Sequence, residues 1–327
     1  MTLPISAVWR QLVLLLLIAG SCTTAQVDDA ERVQVWLDRM ALAVNNLTYR
    51  GTLVYVRGDQ LETMRIYHRV EEGETQERMV ALSGPQREVI RDQDRVRCIF
   101  PDQQSVIVDS RITEPWFPVI PPEQAANPSA RYVFKVGGTE RIAGLAAQVV
   151  HIRPKDGFRY GYRLWLERNT GMLLKSALLD ASDNALEQLM FTDIEIGAGI
   201  SEADLEPQIA DEGFVQVEFP KAEPTGSAAP TSDWQVADLP AGFMLSGHHH
   251  GSKKAGSMEH LVFTDGLASV SVYVESIEDG SLVLDGPSRL GAINMFGAVH
   301  DGFAVTAVGE VPPPTVEKMA NSVRLNP

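Results

Sequence analysis

Tyr49-Arg-Gly-Thr-Leu-Val-Tyr-Val-Arg57, then Gly58-Asp59, then Leu61-Glu-Thr-Met-Arg-Ile-Tyr-His-Arg-Val70 is the stretch that decides the architecture. Both runs alternate in polarity and are rich in β-branched and aromatic residues, and the separator is too short for a crossover helix, so they predict an antiparallel hairpin. The pattern repeats outward. Residues 78–82, 87–91, 95–100 and 105–109 form short alternating segments, separated by Glu72-Gly73, Gly84-Pro85, 92–94 and Pro101-Asp102. After a break it resumes at 132–136, 140–142, 148–153, 161–167, 173–179 and 187–196, with Asp156-Gly157 and Asn169-Thr170-Gly171 as hairpin turns. Some eleven strands in series predict one curved antiparallel sheet, closed or half closed around an apolar interior.

A helix precedes the strands. Over residues 28–46 the apolar positions Val33, Trp36, Leu37, Met40, Val44 and Leu47 recur on one stripe, and Asp28 and Glu31 stand in capping-box spacing. Such a helix has to lie on an apolar surface, and the sheet supplies one. Further back, residues 1–25 read as an export leader: Arg10, an apolar run from Leu12 to Ile18 too short to span a bilayer, then the small residues Ala19, Gly20, Ser21 and Ala25. Cys22, after Ala19-Gly20-Ser21, leaves lipidation open as a second maturation route. If Cys22 departs with the leader, Cys98 is the only thiol and no internal disulfide can form. The thiol alternates with Val96 and Phe100 and is expected on the apolar side.

The composition changes at 222–232, where Pro, Gly, Ser and Ala replace any periodicity, and this marks a connector. The expected organisation is a leader at 1–25, a large domain at 26–212, a linker at 213–232 and a small C-terminal α+β domain at 233–327. The overall class is α+β, mostly β. In the second domain strands are expected at 234–237, 243–245, 259–263, 267–275 and 303–308, and a terminal helix from Thr315 carries Val316, Met319, Ala320 and Val323.

The chain carries 28 Lys and Arg against 43 Asp and Glu, a net charge of −15 with His neutral. That balance excludes nucleic acid as a partner and makes any contact with an anionic lipid a local matter. Catalytic motifs are missing: there is no nucleophile elbow, no zinc-protease helix motif and no phosphate loop. The carboxylate pairs Asp180 with Asp183 and Glu202 with Asp204 fall in turn-like positions, poor places for hydrolytic chemistry. His248, His249 and His250 read as a solvated turn, with weak metal contact as the other reading. No cofactor or metal is expected.

Two features point to binding. Arg65 and Arg69 share one face of their strand, Arg87 and Arg91 share one face of theirs, and Arg95 and Arg97 follow. Neighbouring strands would join these into a basic stripe for phosphates or an acidic segment; the other reading is a solvated face balanced by Glu62, Glu74, Glu77 and Glu88. The second feature is the proline-rich loop 110–129 with Trp116, Phe117, Val119 and Ile120, which either plugs the open end of the sheet or contacts a ligand. Arg65, Arg69, Arg87, Arg91, Trp116 and Phe117 are the candidates for lipid contact.

Several long motifs in order carry a family resemblance: Tyr49-Arg-Gly-Thr-Leu-Val-Tyr55, Arg65-Ile-Tyr-His68, Leu82-Ser-Gly-Pro-Gln-Arg-Glu88 and 159–171. To these the second half adds Trp234, Leu239-Pro-Ala-Gly-Phe243 and 260–275. From about residue 28 to the end the chain resembles the periplasmic sigma-E regulators of the RseB/MucB family. The resemblance implies a half-barrel domain like the envelope's lipoprotein carriers and a small domain that helps hold the periplasmic segment of a membrane anti-sigma factor. It further implies a periplasmic negative regulator that shields that segment from regulated proteolysis, answers to lipopolysaccharide or another acylated signal, and in mucoid relatives governs exopolysaccharide synthesis. Trp234, Phe243, His260 and Tyr273 are the expected partner contacts. A lipid or lipoprotein carrier is the alternative, and a homodimer stays open.

Overall fold

The computed structural model describes residues 28–92, 95–110, 128–219, 232–253, 256–277 and 283–326. The expected leader and Trp116 and Phe117 lie outside these residues. The first domain opens with α1 (Asp29–Asn46), followed by β1 (Tyr49–Arg57), β2 (Gln60–Glu71), β3 (Glu74–Ala81), β4 (Glu88–Asp92), β5 (Arg95–Phe100) and β6 (Ser105–Asp109). It continues with β7 (Tyr132–Ile142), β8 (Leu145–Pro154), β9 (Gly161–Glu167), β10 (Leu173–Leu179), β11 (Ala185–Ile196), the short α2 (Glu202–Leu205) and β12 (Val215–Phe219). These strands make one 12-stranded sheet in the order β12-β6-β5-β4-β3-β2-β1-β11-β10-β9-β8-β7. Neighbours are antiparallel, as the short separators require, except β12, which runs parallel to β6.

The sheet is open, and it curls round α1 until β7 returns to within 8 Å of β11, Cα to Cα. Val33, Leu37, Met40, Ala43 and Val44 of the helix are buried on Leu53, Ile66, Leu164, Leu166 and Phe191 of the sheet. Each large side chain buried in this way contributes about 1.5–3 kcal/mol. The amphipathic spacing therefore selected both the helix and the face it covers. Asp28 stands at the N-cap but its side chain makes no capping bond. The capping box is elsewhere, at the start of α2, where the Ser201 amide and hydroxyl donate to Asp204 Oδ2 at 2.9 and 2.7 Å.

Beyond residue 211 the structure departs from the expected linker. Val215-Gln-Val-Glu-Phe219 satisfies the open edge of β6 as a further strand, so the first sheet runs on to Phe219. Its side chains are all exposed, and backbone pairing rather than burial holds it there.

The second domain contains β13 (Trp234–Val236), β14 (Met244–Lys253), β15 (Gly256–Thr264), β16 (Ser269–Ser276), β17 (Gly286–Leu290), β18 (Ile293–His300), β19 (Phe303–Gly309), α3 (Pro313–Asn321) and β20 (Val323–Leu325). Six strands form a sheet in the order β14-β15-β16-β19-β18-β17, and β13 pairs with β20. Val270, Val272, Val274, Val305 and Ala307 meet Val316, Met319 and Ala320 of α3 in a separate core. Among the described residues no helix is long and apolar enough to cross a membrane.

Candidate functional site

Register across the first sheet decides which arginines stand together. His68 lies opposite Tyr49 on β1 and Glu77 on β3, and Glu77 lies opposite Arg91 on β4. Directly opposed residues share a face, so Tyr49, His68, Glu77 and Arg91 form one transverse row on the helix-covered face, beside Met64, Ile66 and Met79. Arg87 joins them there, within 2.5 Å of Glu62. Arg65 and Arg69, one residue out of phase, are on the opposite face. No single basic stripe exists: the four arginines divide two and two between the faces.

Several of these arginines find acidic partners on their own face. Arg69 pairs with Glu202 at 2.6 Å and Arg97 with Asp211, while Arg65 donates to the Thr52 hydroxyl at 3.1 Å. On the outer face the segment 198–211 crosses β2 to β5. Buried Arg78 and Glu88 pair beneath it, with Arg78 donating to the Asp204 carbonyl and Glu88 accepting the amides of Gln208 and Ile209 at 2.9 and 3.1 Å. On the inner face the row is buried at Tyr49, His68 and Glu77, half-buried at Arg91, and incompletely bonded. His68 Nδ1 meets Glu77 at 3.0 Å and its ring stacks on Tyr49 at 4.7 Å, whereas Tyr49 Oη, His68 Nε2, Glu77 Oε1 and Arg91 Nε have no hydrogen-bond partner among the described residues. Cys98 faces Val89 and Ile107 on this side, and burial pushes its thiol up, away from reactivity.

The expected partner contacts fall into two groups. Trp234 is 8% exposed and packs edge-on against Phe303 at 4.8 Å, inside the second core. Phe243 is likewise buried, under the guanidinium of Arg159 at 4.8 Å. His260 and Tyr273 instead stack at 4.3 Å on the outer face of β15 and β16, with His249 next to them. Burial and the neighbouring His249 and His248 hold His260 below its ordinary value. The three consecutive histidines are not a turn: they extend β14, so His248 and His250 face Glu259 while His249 faces the other way. Burial raises the Glu259 carboxyl, but the two imidazoles outweigh it and hold the group below the usual range.

Sequence reasoning did not find the contact between the domains. Asp265, in the turn after β15, enters the first domain, where Tyr132 donates to its Oδ2 at 2.9 Å and Arg159 donates to the same oxygen. The other oxygen accepts the amides of Leu267 and Ala268 at 2.9 and 2.8 Å. Arg159 also bonds Asp156 and the Ala241 carbonyl, both at 2.6 Å, and the side chains of the Arg159–Asp265 pair are 0% and 1% exposed. Gly242 has φ +95°, and a Cβ there would come within 2.7 Å of Arg131, so the turn at Leu239-Pro-Ala-Gly-Phe243 admits only glycine at this approach. A second patch joins Thr315 to the Phe158 carbonyl at 2.7 Å, Asn294 to Tyr160 at 3.0 Å and the Ala292 amide to Glu187 at 3.1 Å. The Asp-Gly dipeptide at 265–266 has the local signature of a hairpin turn, and the partners of Asp265 are more than a hundred residues away.

These features define a two-domain β protein, a large open sheet wrapped on a helix and a small sheet domain locked to it through buried polar contacts. The chain belongs to the MucB/RseB family: residues 32–209 match the MucB/RseB N-terminal domain and residues 228–324 the MucB/RseB C-terminal domain. It is 35% identical to the Sigma factor AlgU regulatory protein MucB of Pseudomonas aeruginosa over 95% of this chain and 96% of that one. The Sigma-E factor regulatory protein RseB of Haemophilus influenzae is 25% identical over 88% of this chain and 90% of its own. Among solved structures, the MucA/MucB complex of Pseudomonas aeruginosa superposes with a TM-score of 0.70 at 30% identity, covering 90% of this chain and 99% of that one. The relatives are named as regulatory proteins, not as enzymes.

Proposed function

We propose that this chain is a periplasmic negative regulator of an envelope-stress sigma factor, acting by binding the periplasmic segment of a membrane anti-sigma factor and shielding it from regulated proteolysis. The observation that carries this reading is the end-to-end match, through both domains, to MucB, a protein solved in complex with MucA. The buried interdomain contacts support it as well, because a carrier of lipids or lipoproteins has no evident use for a second domain locked to its sheet. An acylated signal, of which lipopolysaccharide is the leading form, releases the partner in this reading.

Calorimetry on residues 26–327 with the periplasmic segment of the host's anti-sigma factor tests it. Micromolar or tighter binding that lipopolysaccharide fragments weaken is the expected result, and the weakening must be reciprocal in free energy. Uptake of acyl chains without any binding to the segment would favour the carrier instead.

The split of the arginines sharpens a second expectation. Lipid headgroups reach the outer and inner faces by different routes, so reversing charge at Arg65 with Arg69 and at Arg87 with Arg91 should give unequal losses of lipid binding at low salt. Equal losses, or none from either pair, would show that these arginines do not select the lipid.

A further inference from the structure

The segment 198–212 lies across the outer face of β2 to β5 without joining the sheet, and side chains of the sheet hold it by its backbone. Glu88 accepts the amides of Gln208 and Ile209 at 2.9 and 3.1 Å, and Arg78 donates to the Asp204 carbonyl at 3.1 Å. These bonds read main chain and are indifferent to the side chains at 204, 208 and 209. Side-chain recognition comes from two acids, Glu202 on Arg69 at 2.6 Å and Asp211 on Arg97, and from the packing of Ala198, Ile200 and Leu205 beside Tyr67. The segment carries Glu202, Asp204, Glu206, Asp211 and Glu212 and no basic residue.

The two sides of this contact differ in how firmly they are set. The side chains of Arg69, Arg78 and Glu88 are 12%, 2% and 1% exposed, whereas that of Glu202 is 73% exposed. Of the whole segment only Ala198, Ile200 and Leu205 are buried. Arg69 Nε has no hydrogen-bond partner among the described residues, so the surface has donor capacity that the segment leaves unused. At the near end Gly197 has φ +80°, a conformation that favours glycine, and beyond the far end β12 is held by backbone pairing rather than burial.

We infer that this outer surface is a docking site for an acidic, extended peptide segment, and that residues 198–212 occupy it as an internal competitor. Its chemistry selects a peptide over an anionic lipid. Arg69 and Arg97 suit either carboxylates or phosphates, but Glu88 requires donors, which backbone amides supply and a phosphate does not. A phosphate drawn to Arg78 would instead meet the Glu88 charge beside it. A tethered segment faces its site at an effective concentration on the order of millimolar, so a free peptide competes only near that level. A partner anchored elsewhere on the molecule gains the same advantage and displaces the segment. The inference is independent of which protein supplies the peptide.

Fluorescence anisotropy and limited proteolysis on residues 26–327 test it, with a labelled synthetic peptide copying 198–212 as the probe. Glu202→Gln with Asp211→Asn removes both internal charge pairs and should tighten binding of the probe on the order of tenfold. A probe with glutamine and asparagine at the same two positions should lose that gain. In the unmodified chain, millimolar peptide should speed cleavage between residues 198 and 212 severalfold, because the displaced segment becomes accessible. Unchanged cleavage there would overturn the inference whether or not the double variant folds. Binding of phosphatidylglycerol vesicles by the double variant, with no binding of the peptide, would assign the surface to lipid and overturn it equally.

Discussion

Replacing Asp265 by Ala is expected to cost about 3–5 kcal/mol and to separate the unfolding of the two domains, because it takes from Arg159, Tyr132 and two turn amides their shared acceptor in a site from which water is excluded. Arg159 would retain Asp156 and the Ala241 carbonyl, while Tyr132 would lose its acceptor and the turn amides of Leu267 and Ala268 theirs. Differential scanning calorimetry should then show two transitions in place of one, the earlier belonging to the second domain. Asp265→Asn keeps an acceptor for the turn amides and should cost less, about 1–3 kcal/mol. A single transition at an unchanged midpoint in Asp265→Ala would mean that the second patch and apolar packing hold the domains without this contact. The same variant separates two accounts of partner binding: a segment held across both domains should bind much more weakly, and one held on a single domain should not notice.

The first sheet was legible because its signals are local. Alternation at 49–57 and 61–70, two-residue turns and the stripe Val33, Leu37, Met40, Val44 each report on a few neighbouring residues, and the structure places them as expected. Faces across strands were not legible in the same way. Period-2 alternation says that Arg65 and Arg69 agree with each other and that Arg87 and Arg91 agree with each other, but only the register through β3 says that the two pairs disagree. The histidines at 248–250 failed for a related reason: flanking glycines suggested a turn, whereas pairing with Glu259, His260 and Leu261 extends the strand. The interdomain role of Asp265 had no local signature. It acquires its partners, Tyr132 and Arg159, from a surface contributed by the other domain, and nothing in the flanking residues encodes that surface.

Glu88→Ala should be the most disruptive change within the first domain. Glu88 is 1% exposed and spends one oxygen on Arg78, itself 2% exposed, and the other on the amides of Gln208 and Ile209. Removing it leaves a buried guanidinium and two partly buried amide donors short of their acceptor at once, a local cost of about 3–5 kcal/mol. Because 1.4 kcal/mol is a factor of ten in population, the segment 198–211 should open on the order of 100-fold more often or beyond. Limited proteolysis should register this as faster cleavage between residues 198 and 214. Apolar replacement of both partners, Arg78→Met with Glu88→Leu, removes the stranded charge but not the stranded amides, so it should recover only part of the loss. Full recovery would assign the whole effect to the ion pair, and no loss in Glu88→Ala would mean that Ala198, Ile200 and Leu205 hold the segment by packing on Tyr67. Opening has a further consequence, since Glu202 on the same segment neutralises Arg69. A loosened segment exposes a cation on the outer face, and the Glu88→Ala chain should therefore bind anionic vesicles more strongly than the unmodified one at low salt.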